Sequence, residues 1–162
     1  MSTLKDKAFL DIATRLGQLG TCDRAHVGAV IVKDGRCISW GYNGAPAGMP
    51  HCEENNHGWG SKTINKAVYP EAPLLVSAVD VAGCRNVTHA EANAICFAAR
   101  QGISTEGCTM YVERSPCLNC SHLIIAAGIE RVVVSLMYRD TTGWELLNDA
   151  LIRMEVLSAT NS

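Results

Sequence analysis

The chain has 162 residues, 48% of them hydrophobic and 19% charged, a balance that excludes intrinsic disorder and predicts a single domain over residues 1–162. Lys+Arg number 14 and Asp+Glu 16, so the net charge of −2 argues against a protein that works by gripping nucleic-acid backbone. Its apolar runs, residues 27–32 and 123–127 among them, are too short to span a membrane; residues 1–10 carry Lys5, Asp6 and Lys7 and no leader-like apolar segment, so a cytoplasmic protein is expected.

Residues 3–19 read as a helix, with Leu4, Ala8, Ile12, Leu16 and Leu19 at helical spacing and Gly20 as the stop. Residues 27–32 and Arg36–Tyr42 are β-rich, and Lys33-Asp34-Gly35 between them signals a hairpin. A turn-rich loop follows, Gly41-Tyr42-Asn43-Gly44-Ala45-Pro46-Ala47-Gly48. Residues 50–85 show no clear period and read as irregular, with one short helix at most. The alanine-rich segment Ala90–Arg100 predicts a helix ending before Gly102, and residues 109–113 a strand. Ser115 as N-cap and Pro116 at the first helical position predict a helix running to about residue 127. A strand at 131–137, a helix at 144–152 and a strand at 154–157 complete the chain. This order predicts an α/β three-layer sandwich, a mixed sheet with helices on both faces.

The eight cysteines are Cys22, Cys37, Cys52, Cys84, Cys96, Cys108, Cys117 and Cys120. Their even number would allow a disulfide scaffold, but in a reducing compartment cysteines near histidines more often bind metal. Cys37, Cys96 and Cys108 fall in strand or helix contexts and read as small apolar core residues.

Two short motifs carry chemistry. His89-Ala90-Glu91 opens one helix and Pro116-Cys117-Leu118-Asn119-Cys120 opens another. Cys-x-x-Cys at a helix start aims two thiolates at one ion, and the helix N-terminus favours the thiolate form. His89 makes three protein ligands, the number that leaves a catalytic zinc one open position for water. Glu91 is too close to His89 to be a convenient co-ligand and is placed instead to move protons. Alone, Cys-x-x-Cys could be a redox pair or half a zinc finger; His-x-Glu followed by Pro-Cys-x-x-Cys is the signature of the zinc deaminases.

With these motifs the chain resembles the deoxycytidylate (dCMP) deaminases of the cytidine deaminase-like superfamily, over residues 13–157. Further matching stretches are Thr21-Cys22-Asp23-Arg24-Ala25-His26-Val27-Gly28-Ala29-Val30, the loop from Gly41 to Gly48, Pro50-His51-Cys52-Glu53-Glu54 and Thr88-His89-Ala90-Glu91-Ala92-Asn93-Ala94-Ile95. The resemblance implies a five-stranded mixed sheet flanked by helices, and hydrolytic deamination of dCMP to dUMP that supplies thymidylate synthesis. Water activated by zinc would attack C4 of cytosine while Glu91 takes the water proton, delivers it to N3 and then helps the amine leave. The backbone amide of Cys117 would meet the developing charge. Deamination of another cytosine nucleoside or nucleotide, of a riboflavin precursor or of adenosine in transfer RNA are rival activities; a non-catalytic, zinc-stabilised nucleotide-binding module is the non-enzymatic rival.

The resemblance also implies a second, structural zinc held by Cys22, Cys52, His57 and Cys84, with His57 standing where the family commonly has cysteine and His51 as the competing ligand. It places the substrate near Arg24 and His26, the expected phosphate contacts, with Arg139 in reserve. Val27, Ala90, Ser115 and Pro116 are expected around the substrate; Asn43 is expected to bond the deoxyribose 3′-hydroxyl or the base, unless it is a turn asparagine, and Tyr138 to wall the pocket, unless it packs at its rim. Family members are often hexamers, activated by dCTP and inhibited by dTTP, with Mg2+ as a companion of the effector. Gly44, Ala45, Pro46, Gly48 and Arg100 are the expected effector-site residues.

Overall fold

The computed structural model describes residues 4–22, 25–49, 51 and 87–157. They form, in order, α1 (Leu4–Gly17), β1 (Gly28–Lys33), β2 (Arg36–Tyr42), α2 (Ala90–Arg100), β3 (Thr109–Arg114), α3 (Leu118–Ala126), β4 (Arg131–Leu136), α4 (Thr142–Asp149) and β5 (Arg153–Val156). The five strands make one mixed sheet in the order β2-β1-β3-β4-β5. β1 pairs antiparallel with both β2 and β3, while β3–β4 and β4–β5 are parallel. The hairpin turn is as expected: Asp34 and Gly35 both have positive φ, 50° and 73°, the backbone an Asp-Gly turn supplies to match strand twist.

Strand alternation divides the core. Ala29, Ile31, Met110, Val112, Val132 and Val134 point to one face, where they meet Ala90 and Ala94 of α2, Ile124 of α3 and Leu147 of α4. Val30, Val32, Tyr111 and Val133 point to the other and meet Leu10 and Ala13 of α1. The sheet is therefore covered on both sides, which is why β1 reads as an unbroken apolar run.

The helix α1 exists, but its buried face is not the one its leucines predict. Asp6, Leu10, Ala13 and Gly17 are buried. Leu4 is 85% exposed, Leu19 54% and Ile12 43%, and Ala8 is exposed; Leu16 alone of the predicted stripe packs partly on the core. Asp6 can face inward because it is satisfied there: the Tyr111 hydroxyl donates to its Oδ1 at 2.7 Å, and Arg131 Nη1 reaches the same oxygen at 2.7 Å. Two of the three presumed core cysteines also differ: Cys108 is buried, but Cys37 and Cys96 are exposed, on the edge strand and on the outer side of α2.

Candidate active site

The site is built at the N-terminal ends of α2 and α3. His89 is the N-cap of α2 and Cys117 the N-cap of α3. This corrects the expected helix start: α3 begins at Leu118, after Ser115 and Pro116. Ser115 does not cap it. Its Oγ accepts the backbone N–H of Tyr138 at 2.7 Å, and its own N–H donates to the carbonyl of Leu136 at 2.9 Å, tying the exit of β3 to that of β4.

Cys120 lies nearly one helical turn beyond Cys117, so the two thiols return to the same side of α3. His89 Nδ1 is 3.5 Å from each of their sulfur atoms, and the three donor atoms all lie within 4.8 Å of one another. A tetrahedral zinc with ordinary Zn–S and Zn–N bonds holds such ligands about 3.5 Å apart, so the donor set fits zinc in spacing as well as in softness. The three groups shift one another's titration. The Cys117 thiol is held down at about 4 by a hydrogen bond from Cys120 and by the His89 imidazole. The contact with Cys117 pushes Cys120 upward, as does burial, and raises His89. A divalent cation in their midst would favour the ligating, deprotonated forms of all three.

Glu91 is the second residue of α2 and only 4% exposed. Burial pushes its carboxyl up, while hydrogen bonds from its own backbone N–H and the Cys120 thiol pull the other way. A carboxyl whose protonated form is favoured by burial, touching a ligand of the metal cluster, is suited to taking up and returning a proton.

His89, Glu91 and Cys117 lie along a cavity of about 620 Å³, a volume that suits a small-molecule ligand. Val27, Asn43, Ala90, Ser115 and Tyr138, all expected near a substrate, do line it. Asn43 does more than turn the chain. Its Oδ1 accepts the N–H of Val27 at 2.8 Å and its Nδ2 donates to the carbonyl of Ala25 at 2.6 Å, so it pins the segment that forms one wall. Any bond to a sugar would use its remaining lone pair or N–H.

Other expectations fare differently. His26 is exposed and does not line the cavity, and Pro116 is fully buried behind it. Arg24 lies outside the described residues, as do Cys52, His57 and Cys84; Cys22 is buried and lines the cavity, while His51 is exposed. Gly44 forms a bridge with Thr88, at the start of α2, whereas Arg100 is the last residue of that helix. Eleven residues of helix put these roughly 16 Å apart, so one chain does not gather the expected effector residues into one place. Ala25, Val87, Arg114 and Met137 line the cavity without having been singled out. The signal for Arg114 was its position one residue ahead of the Ser-Pro-Cys start of the metal motif.

The family model described as cytidine and deoxycytidylate deaminase zinc-binding region matches residues 3–136. A deoxycytidylate deaminase of Mycobacterium phage D29 is 42% identical over 128 residues, 79% of this chain and 91% of that one. A deoxycytidylate deaminase of Enterobacteria phage T2 is 39% identical over 161 residues, 88% of this chain and 86% of that one. Among solved structures, dCMP deaminase from the cyanophage S-TIM5, crystallised in complex with dCMP and dUMP, matches with a TM-score of 0.75 and 27% identity, covering 97% of this chain and 99% of that one.

Proposed function

Because the chain belongs to the cytidine and deoxycytidylate deaminase family, a family of zinc-dependent hydrolases, we propose that it deaminates dCMP to dUMP with release of ammonia. The observation that carries this reading is the buried carboxyl of Glu91 beside the His89, Cys117 and Cys120 donor cluster, with Glu91, His89 and Cys117 lining one cavity of about 620 Å³. His89, Cys117 and Cys120 hold the zinc, which when bound supplies the Lewis acidity that makes water a nucleophile near neutral pH. Glu91 would accept one proton of the attacking water and deliver it to N3 of the ring as C4 becomes tetrahedral; it would then take the remaining proton from the new C4 hydroxyl and pass it to the amine, which leaves as ammonia while C4=O forms. The backbone N–H of Cys117, at the positive end of α3, donates to the oxygen that gains charge at C4. Val27, Ala90, Asn43 and Tyr138 shape the walls against which base and sugar rest.

The same reading extends to features that rest on the sequence pattern and the resemblance. Cys22, Cys52, His57 and Cys84 hold a second, structural zinc. The protein is one cytoplasmic domain that assembles into a homohexamer and needs no nucleic acid. dCTP activates it and dTTP inhibits it, with Mg2+ accompanying the effector. The effector site draws on Gly44, Ala45, Pro46 and Gly48 of one copy and Arg100 of another, since one chain separates them.

The test is ammonia release by the purified, zinc-loaded protein from dCMP, deoxycytidine and dCTP, with each effector added at subsaturating dCMP. Turnover of dCMP but not of deoxycytidine is the expected result. Turnover of deoxycytidine alone moves the protein to the nucleoside branch, and no turnover with zinc bound makes it a binding module. Rates indifferent to dCTP and dTTP remove the regulatory part alone.

A further inference from the structure

The cavity has two chemically distinct regions. The metal cluster and Glu91 make one. The other is cationic: Arg114 and Arg139 are the only lysines or arginines among the described residues that line it. Both stand at the carboxyl ends of adjacent parallel strands, where open α/β sheets bind ligands. Arg114 ends β3 and pairs in register with Leu136, the last residue of β4; Met137 and Tyr138 then lead to Arg139. Strand alternation fixes the direction of Arg114. Met110 and Val112 point to the face that carries α2 and α3, and Arg114 continues that column past the core to the mouth of the cavity.

The two arginines are not equivalent. Arg139 is engaged: its guanidinium sits 5.8 Å over the Tyr138 ring, and Asp140 beside it feels its charge. The Arg114 side chain makes no hydrogen bond or ion pair among the described residues. Its guanidinium is thus available to an anion in the cavity, and its planar fork matches phosphate oxygens two at a time. His26, expected to serve the phosphate, is off the cavity lining.

We propose that Arg114 binds the 5′-phosphate of the substrate and thereby sets the preference for a nucleoside monophosphate over a free nucleoside. This rests on the reading of the protein as a cytosine-nucleotide deaminase and deepens it. Arg114 is a specificity residue, acting at the end of the substrate away from the reacting ring. Its loss should therefore appear in KM far more than in kcat.

The experiment compares wild-type protein with R114Q and R114K, all zinc-loaded and matched for thermal unfolding. Steady-state rates are measured with dCMP and deoxycytidine, and dUMP binding by calorimetry. R114Q should raise KM for dCMP about tenfold to a hundredfold, the range of a charge-assisted hydrogen bond or pair of them, with kcat changed far less. The ratio of kcat/KM for dCMP to that for deoxycytidine should fall by the same factor, and R114K should recover part of it. An unchanged KM, or equal losses for dCMP and deoxycytidine, overturns the assignment of Arg114. So does dUMP binding equally tight in wild type and R114Q, which leaves the nucleotide reading standing. A wild-type protein that turns over deoxycytidine alone and binds no dUMP overturns both together.

Discussion

Gly41 of β2 lies so close to Ala90 of α2 that a Cβ on it would stand 2.5 Å from the Ala90 carbonyl oxygen and 2.5 Å from the Ala94 amide nitrogen. Both neighbours are helix backbone and cannot swing aside. Two hydrogen bonds lock the same contact: Ser39 Oγ donates to the Ala94 carbonyl at 2.6 Å, and Asn93 Nδ2 to the Tyr42 carbonyl at 2.7 Å. The seam matters to the chemistry because His89, Ala90 and Glu91 sit at its end. G41A should therefore lower stability by about 1–3 kcal/mol, the usual cost of overpacking, and reduce kcat by displacing His89 and Glu91. Urea denaturation and steady-state kinetics on the same preparation check both. An unchanged midpoint with unchanged kcat would show that β2 and α2 can separate without disturbing the site.

Glu91 is buried and touches the Cys120 thiol, so replacing its carboxyl by an amide keeps shape but removes the proton carrier. E91Q should lose about 10²–10⁴-fold in kcat, the span of general acid–base catalysis by one side chain. Zinc content by elemental analysis should stay at the wild-type level, because Glu91 is not one of the three grouped donors His89, Cys117 and Cys120. Rapid turnover by E91Q would move the proton-carrying role to another group. Loss of zinc along with activity would make Glu91 a support of the metal cluster instead.

Metal removal should expose the strongest electrostatic feature of the site. With no ion, the Cys117 thiol is held at about 4, far below a free cysteine, by Cys120 and His89. At pH 6 the stripped protein should therefore be alkylated by iodoacetamide at Cys117 first, read by peptide mass spectrometry. Zinc added beforehand should protect Cys117 and restore activity. Alkylation at Cys117 that is no faster than at the exposed Cys96 would refute the thiolate assignment.

The strands, their order of appearance and the metal cluster were legible because each rests on local signals: alternation, an Asp-Gly turn, and ligands at fixed spacing ahead of helices. What escaped depends on partners distant in sequence. The inner face of α1 was read from its leucines, yet the helix turns Asp6 inward because Tyr111 and Arg131, 105 and 125 residues away, receive it. Ala13 and Gly17 offer little hydrophobicity to a periodicity count, but their small size lets α1 lie close on the sheet. Arg114 falls one residue past the strand read over residues 109–113 and belongs to no motif. Only the parallel pairing of β3 with β4 brings it to the cavity beside Tyr138 and Arg139. The start of α3 was set two residues early, because Ser115 has the chemistry of a cap but spends its hydroxyl on Tyr138.

The Tyr111–Asp6–Arg131 cluster makes a prediction about pH. Burial raises the Tyr111 phenol from its ordinary 10.0 to about 12, and the hydrogen bond to Asp6 adds to the effect. The folded protein thus holds the phenolic proton more tightly than the unfolded chain does. The stability this confers is fully present below pH 10.0 and is lost as pH rises through about 12. At the acid end the sign reverses: the Arg131 guanidinium, 2.9 Å from Glu155, lowers the Glu155 carboxyl, so that contribution is present above pH 4.5 and fades below it. Y111F removes the hydroxyl and leaves Asp6 with Arg131. It should be less stable than wild type at pH 7 by about 1–3 kcal/mol, the cost of a buried hydrogen bond to a charged group. The gap should narrow as the wild-type protein alone weakens between pH 10 and 12, measured as thermal midpoints of the two proteins across that range. Parallel declines of wild type and Y111F would show that Tyr111 does not titrate with unfolding and that the alkaline limb belongs to other groups.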